Sequence, residues 1–405
     1  MKSEELRETR TGSARQVRPT GYSVQEGMRA QRRRSLRKLV LVCTTAALLV
    51  AGTVVALVAN GGAGKGSSTP ARSVTGVVAH PDQSPPRELI AAGESVLSAY
   101  YTAKPVKLPN GDGTVSYQWS LLDPANQRYE PTDWAWLDVA PGLRRAAVLE
   151  RGLPADRIGL LDLSTGKVES WIETDHGVGS LEFSPDGTRL LATAYDLDPD
   201  GLFKDAPQQV NDKVLPGPKA SRSGFYVIDV ADRKAEFTAR PVRKNARSMV
   251  AAGRQDFGWS DDGTLVWEPS QMSPGKAFLD VRGKEMPVPE GERNPDRADA
   301  GTSPDGKLLA GRMTQDNAAI ASEVFDTDTG ERAGLVPGQQ LLTWADDRHL
   351  IAWRCDPARC EPGSGEFRNQ LILVGLDEEA VVPLSGFQQP DLDAPGRWTP
   401  LFTRR

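Results

Sequence analysis

A short turn that keeps returning constrains this chain more than any other feature. In residues 181–196, L-E-F-S-P-D-G-T-R-L-L-A-T-A-Y-D, two short apolar strands flank Ser184-Pro185-Asp186-Gly187. Pro in the second position and Gly in the fourth suit a type I turn followed by a positive φ, as in a bulged hairpin. Aligned on the turn glycine, five copies appear: V-A-P-G at Gly142, F-S-P-D-G at Gly187, W-S-D-D-G at Gly263, T-S-P-D-G at Gly306 and W-A-D-D-R at Arg348. An apolar strand follows each. A second marker, a strand ending in Asp ahead of another turn, comes next at Asp162, Asp229, Asp280 and Asp326, with Gly375 in the last copy and Asp123 ahead of the first.

Two hairpins per repeat of about 42–45 residues make a four-stranded antiparallel unit, the period of a β-propeller blade. The six second markers predict six blades. The first blade has strands near 95–102, 115–122 and 128–132 but no turn-glycine hairpin before them. Its innermost strand is therefore expected from the C-terminus, at 397–402. Such a closure leaves no exposed sheet edge. The fold class is all-β, a six-bladed β-propeller preceded by one transmembrane helix.

The helix is expected at 39–59, 21 residues without a charge. At 1.5 Å per residue the run spans roughly 30 Å, the thickness of a bilayer core. Arg32, Arg33, Arg34, Arg37 and Lys38 precede it, whereas only Lys65 and Arg72 lie near its far side. The positive-inside rule keeps the N-terminus in the cytoplasm and puts the rest outside. Residues 1–38 read as a basic disordered tail, 60–86 as a Gly-, Ser- and Pro-rich linker, and 87–405 as the extracytoplasmic propeller. Arg33-Arg34-Ser35-Leu36-Arg37-Lys38 also resembles a twin-arginine export signal. No clear A-x-A cleavage site follows, Ala59-Asn60-Gly61 being the nearest approach, so a retained plasma-membrane anchor is the reading and export the alternative.

Charge excludes one function class. Residues 1–60 carry 11 Lys/Arg against 4 Asp/Glu, and the remaining 345 carry 38 against 50, a net of −12. An acidic domain repels phosphate backbones, so no nucleic-acid partner is expected. Gly64-Lys65-Gly66-Ser67 is not a phosphate loop. It lacks the first glycine at the required spacing and has Gly66 where Ser or Thr should follow the lysine.

These repeats resemble the propeller repeats of the TolB-type family, whose hallmark is the x-S-P-D-G turn after an apolar strand. They also resemble WD40 repeats, since D-H-G-V-G-S-L-E-F-S-P-D-G at 175–187 echoes the entry into a WD40 blade. Where WD40 has Trp-Asp, this chain has Leu-Asp, Ile-Asp, Leu-Asp and Phe-Asp. The similarity covers about residues 93–405, and the layout of anchor plus acidic propeller is similar to membrane-anchored propellers of actinobacteria. Both families imply a binding scaffold, and neither transfers a catalytic residue.

Three local features are candidate sites. Gly187 to Asp229 spans 42 residues where Gly142 to Asp162 spans 20, an insertion at about 197–221. Long insertions on rigid scaffolds often carry binding, and as often are tolerated surface loops. The insertion opens Asp196-x-Asp198-x-Asp200-Gly201, the first half of a Ca²⁺ loop, but Pro207 stands where the closing Glu belongs and Asp205 falls two positions short. The alternative is a carboxylate-rich turn, with no cofactor. Cys355 and Cys360 lie in R-C-D-P-A-R-C-E-P. Outside the membrane they are expected as a disulfide contributing roughly 2 kcal/mol, two cysteines being too few for zinc. Cys43 falls in the membrane run.

Only three histidines exist, His80, His176 and His349, and no G-x-S-x-G elbow is present. No catalytic residue is nominated. The expected function is a membrane-tethered scaffold binding a protein or cell-envelope ligand. The alternatives are a hydrolase or lyase with a carboxylate or metal site in the channel, and a transmembrane sensor.

Overall fold

The computed structural model describes residues 74–210, 213–242, 253–294, 297–316, 319–355, 369–376, 381–388 and 397–405. The expected membrane segment 39–59, the tail 1–38, Cys43 and Cys360 lie outside the described residues. No helix among those described is long and apolar enough to cross a membrane.

The first sheet holds β1 (Ala91–Ala92), β2 (Ser95–Lys107), β3 (Gly113–Asp123) and β4 (Arg128–Pro131). Next come β5 (Trp136–Val139), β6 (Arg145–Leu149), β7 (Ala155–Asp162), β8 (Lys167–Phe183) and β9 (Arg189–Tyr195). The insertion supplies β10 (Phe203–Val210) and β11 (Lys213–Gly217), and β12 (Arg222–Asp229) and β13 (Lys234–Ala239) complete a seven-stranded sheet. Its order is β13-β12-β9-β8-β7-β6-β5, because β8 is long enough to serve twice. Its first part pairs with β7, and residues from Val178 onward pair with β9.

Three four-stranded sheets follow in chain order. They are β14 (Gly258–Trp259), β15 (Val266–Pro269), β16 (Lys276–Leu279) and β17 (Glu285–Met286); then β18 (Arg297–Thr302), β19 (Leu308–Asp316), β20 (Ala319–Asp326) and β21 (Arg332–Val336). The last holds β22 (Gln340–Trp344), β23 (His349–Cys355), β24 (Asn369–Gly375) and β25 (Val381–Pro383). All pairings between these described strands are antiparallel, and the sheets are the blades of a β-propeller.

Finally β26 (Thr399–Arg404) returns to the first sheet and pairs with β2, Val96 opposite Thr403 and Tyr100 opposite Pro400. The closing strand therefore stands where the repeat count put it, shifted two residues toward the C-terminus. Its seam is apolar. Ile90, Leu97 and Tyr100 of the first sheet pack with Ile351, Trp353 and Leu371 of the last. Trp398 lies between them, its ring 5.5 Å from Tyr100 and 5.1 Å from Trp353.

The repeated turn has a simple cause. The Ser184 hydroxyl donates to Asp186 and accepts the N–H of Arg189 at 3.0 Å, so one side chain closes both ends of the turn. Ser260 and Ser303 do the same with Asp262 and Asp305. Gly187 and Gly263 follow at φ +70° and +68°, a region costly for residues with a Cβ. In the copy ending at Arg348, Ala345 stands at the serine position and the next residue, Asp346, closes the turn, accepting the N–H groups of Arg348 and His349 at 2.9 and 2.8 Å.

The second-marker aspartates are turn caps. Asp123, Asp162, Asp229 and Asp326 each accept the N–H groups two and three residues on. They mark architecture, not a site.

Neighbouring blades are stapled in one register. Four residues before the turn position, Trp259 and Trp344 each send an indole N–H back to the preceding inner strand, to the carbonyls of Glu182 (3.1 Å) and Gly301 (3.0 Å). Asp138 of β5 accepts the N–H of Phe183 at 2.6 Å, and Glu182 of β8 accepts that of Trp259 at 3.1 Å. At the closing seam Thr403 donates to the Val139 carbonyl, 3.2 Å away.

Residues 74–86, expected as the end of a free linker, instead run along the ring. Val78 bridges Ala91, the His80 N–H donates to Leu384 and the Gly386 N–H to Gln83. Composition signals chain flexibility but not the apolar contacts of Val74, Val78 and Ala79 that hold this segment down.

Candidate functional site

The insertion does not hang free. Leu202 and Gly113 exchange both backbone hydrogen bonds, at 2.7 and 2.8 Å, which joins it to the β2–β3 hairpin of the first sheet. The Lys204 N–H donates to Asp112 at 2.9 Å, and the Lys204 ammonium to the Asn110 carbonyl at 2.8 Å. A loop from one sheet thus straps onto the hairpin of another.

The carboxylates of the D-x-D-x-D-G stretch are what fasten it. Asp198 accepts the Thr114 hydroxyl at 2.6 Å and the Asp200 N–H at 3.0 Å. Asp200, buried, accepts the Tyr117 hydroxyl at 2.9 Å and the fork of Arg254. Asp196 is exposed, and its N–H donates to the Ser221 carbonyl at 2.8 Å. Two of the three aspartates therefore face different partners. Among the described residues, no three His, Cys, Asp or Glu side chains are grouped to hold a metal ion.

Arg254 is the hub. It enters just ahead of β14, and its guanidinium lies 4.1 Å over the Trp136 ring. Nε and Nη2 go to Asp200, while Nη1 reaches the Gly179 carbonyl at 2.8 Å and Asp256 at 3.3 Å. The Tyr195 hydroxyl donates to Asp256 at 2.8 Å and accepts the Gln255 N–H. Tyr101, Tyr117 and Trp119 continue the aromatic wall behind Trp136, with Tyr117 edge-on to it at 5.3 Å. Residues from three sheets and the insertion meet here.

Electrostatics fix the protonation states. Burial works against the Arg254 charge, but Asp256 and Asp200 outweigh it and hold the guanidinium well above its usual range. Burial, then the neighbouring carboxylates, push the Tyr117 and Tyr195 hydroxyls well above theirs. These groups stay protonated and act as donors. Asp200 is held by Arg254 and Tyr117, Asp256 by Arg254 and Tyr195, and every guanidinium nitrogen is engaged. Two carboxylates do converge on one point, and the chain's own arginine occupies it. The cluster is a lock.

Two carboxyl groups titrate nearer neutrality. Burial pushes Asp138 up to about 7 and Glu182 up to about 8. Such shifts mark functional carboxyls when the group faces substrate. Here each accepts a backbone N–H of the next inner strand, an architectural duty.

The histidines lie apart. His80 Nδ1 is 3.3 Å from Glu88, His176 stacks on Phe237 with ring centres 4.0 Å apart, and His349 Nδ1 is 2.8 Å from Asp346. Cys355 ends β23, buried, and its expected partner lies outside the described residues. Arg254, Asp256 and Trp136 were not singled out by sequence. The available signal was Arg-x-Asp just before β14.

The insertion's outer part is different in character. Beyond the strap, β10 and β11 form a two-stranded hairpin of their own, on which Val214 is 74 % and Leu215 43 % exposed. Leu197 at the root of the insertion and Leu108 on the hairpin it contacts are also exposed.

No protein-family model matches the sequence. No curated protein matches it. Among solved structures the chain is similar to TolB from Acinetobacter baumannii, at 15 % identity and a TM-score of 0.36, over 73 % of this chain and 68 % of that one. It is also similar to the Cps50 (Swd1) β-propeller domain of Myceliophteria thermophila, at 12 % identity, TM-score 0.35, over 74 % and 88 %. A third is the hydrazine synthase of Kuenenia stuttgartiensis, at 13 % identity, TM-score 0.33, over 64 % and 68 %.

Proposed function

We propose that this chain is a membrane-tethered β-propeller that stands outside the plasma membrane and binds a protein or cell-envelope ligand. Counting the seven-stranded sheet as two blades that share β8, and the first sheet as the blade closed by β26, the ring has six blades. The observation that carries the binding reading is the insertion: strapped at its base through Asp198, Asp200 and Arg254, it presents Val214 and Leu215 to solvent on a rigid support. Exposed apolar groups on a fixed element cost little ordering entropy when a partner covers them.

The tether rests on the uncharged run 39–59 and the arginines before it. The Cys355–Cys360 disulfide belongs with it, because an oxidising compartment stabilises such a pair. No cofactor is invoked: Asp200 is already neutralised by Arg254, so added Ca²⁺ should leave the melting temperature unchanged. A hydrolase or lyase remains the rival reading, and measurable turnover by the purified chain would favour it.

The binding test is a Val214→Asp/Leu215→Asp variant, compared with wild type by crosslinking in intact cells. A crosslinked species lost in the variant supports the reading. An unchanged pattern removes the insertion as the binding element.

A further inference from the structure

A second surface lies away from the insertion. Between the first sheet and the seven-stranded sheet runs a groove of about 770 Å³, within the range of roughly 300–1,000 Å³ that holds ligands. Its lining is apolar at Leu121 and Leu122 of β3, Leu161 of β7, Leu163 just beyond that strand, and Trp134. Its rim is acidic, carrying Asp123, Glu130, Asp133 and Glu150 against Arg151 alone.

The rim charges are not equally free. Glu150 receives both arms of Arg157, at 2.8 and 3.1 Å, and Arg151 stands 3.6 Å from the exposed Asp133. Asp123 accepts the turn N–H of Ala125 and the Asn126 side chain, which lower its pKa and keep it ionised. Glu130 is exposed and pairs with no cation among the described residues.

We propose that this groove docks an extended segment of a partner protein in which a lysine or arginine stands among apolar side chains. The apolar residues would lie on the leucine floor and the cation at Glu130 and Asp123. A second copy of this chain is the poorer occupant, because residues 61–405 carry a net −12 and like charges oppose such pairing. The proposal goes beyond the insertion reading and uses none of its residues.

The test uses the purified full-length chain in detergent micelles and fluorescent decapeptides in which leucine alternates with lysine or, as control, with glutamate. The lysine peptide should bind and the glutamate peptide should not. Glu130→Lys should weaken binding about ten-fold or more, with the melting temperature unchanged. The Val214→Asp/Leu215→Asp variant should bind the peptide like wild type, which separates this groove from the insertion. Equal affinity for both peptides, wild-type affinity in Glu130→Lys, or complete competition by spermine at equal charge concentration would overturn the proposal.

Discussion

The guanidinium of Arg254 lies 4.1 Å over the ring of Trp136 while its other edge forks onto Asp200, so a cation, an indole and a carboxylate from three parts of the chain form one contact. The geometry is that of a cation-binding cage whose occupant is covalently part of the protein. It holds the insertion to the ring.

Breaking that contact should be costly. Arg254→Ala leaves Asp200 and Asp256 facing each other without their cation, and removing one partner of a buried pair typically costs about 3–5 kcal/mol. Denaturant unfolding should show a loss of that size, and added guanidinium should restore part of it. Asp200→Asn keeps the shape and a hydrogen bond, so its loss should be smaller.

The indole staples give a second prediction. Trp259→Phe and Trp344→Phe each keep an aromatic ring but delete the N–H that serves the carbonyls of Glu182 and Gly301 and leave a cavity where the rest of the buried indole stood. Each should cost about 2–4 kcal/mol, the lost hydrogen bond plus the cavity. The two sites belong to different blade pairs, so the double variant should be the sum within about 0.5 kcal/mol. The urea midpoint, at unchanged slope, is the readout.

Stability should fall as pH rises through neutrality. Asp138 and Glu182 hold protons up to about 7 and 8 in the folded chain, whereas unfolded carboxyls lose them near pH 4. The native state binds more protons in that window, so this contribution is full below about pH 4 and is lost as pH climbs through 7 and 8. Glu182→Gln keeps an acceptor for the Trp259 N–H and cannot ionise. Its melting temperature should exceed wild type at pH 8 and match it at pH 5. A wild-type difference curve flat from pH 5 to 8 would contradict the assignment.

Turn glycines at similar φ should differ in cost. Gly263 and Gly306 sit at +68° and +76°, and either alanine variant carries the left-handed penalty of about 1–2 kcal/mol. A Cβ at Gly263 would stand 2.8 Å from Pro185 of the neighbouring turn, while at Gly306 it meets open space. Gly263→Ala should therefore be the more destabilising, by thermal melt.

Much of the ring was legible because its determinants are local. A Ser that closes its own turn, an Asp that caps the next and a Gly at positive φ recur at fixed spacing whatever surrounds them. The closing strand followed from counting. Arg254 was illegible for the opposite reason: its partners Trp136, Asp200 and Gly179 lie about 54–118 residues away and share no spacing rule. The D-x-D-x-D stretch shows the same limit. A carboxylate reads alike in sequence whether it faces a cation from solution or an arginine from the chain, and here Asp200 faces the arginine.

The binding account is tested most directly by site-specific crosslinking from position 215 in the membrane-embedded full-length chain. A photoreactive residue there, on the exposed hairpin, should capture one predominant partner, and Arg254→Lys, which loosens the strap, should reduce that capture while the chain remains folded. No partner captured at position 215, with turnover of a small molecule by the same preparation, would contradict it.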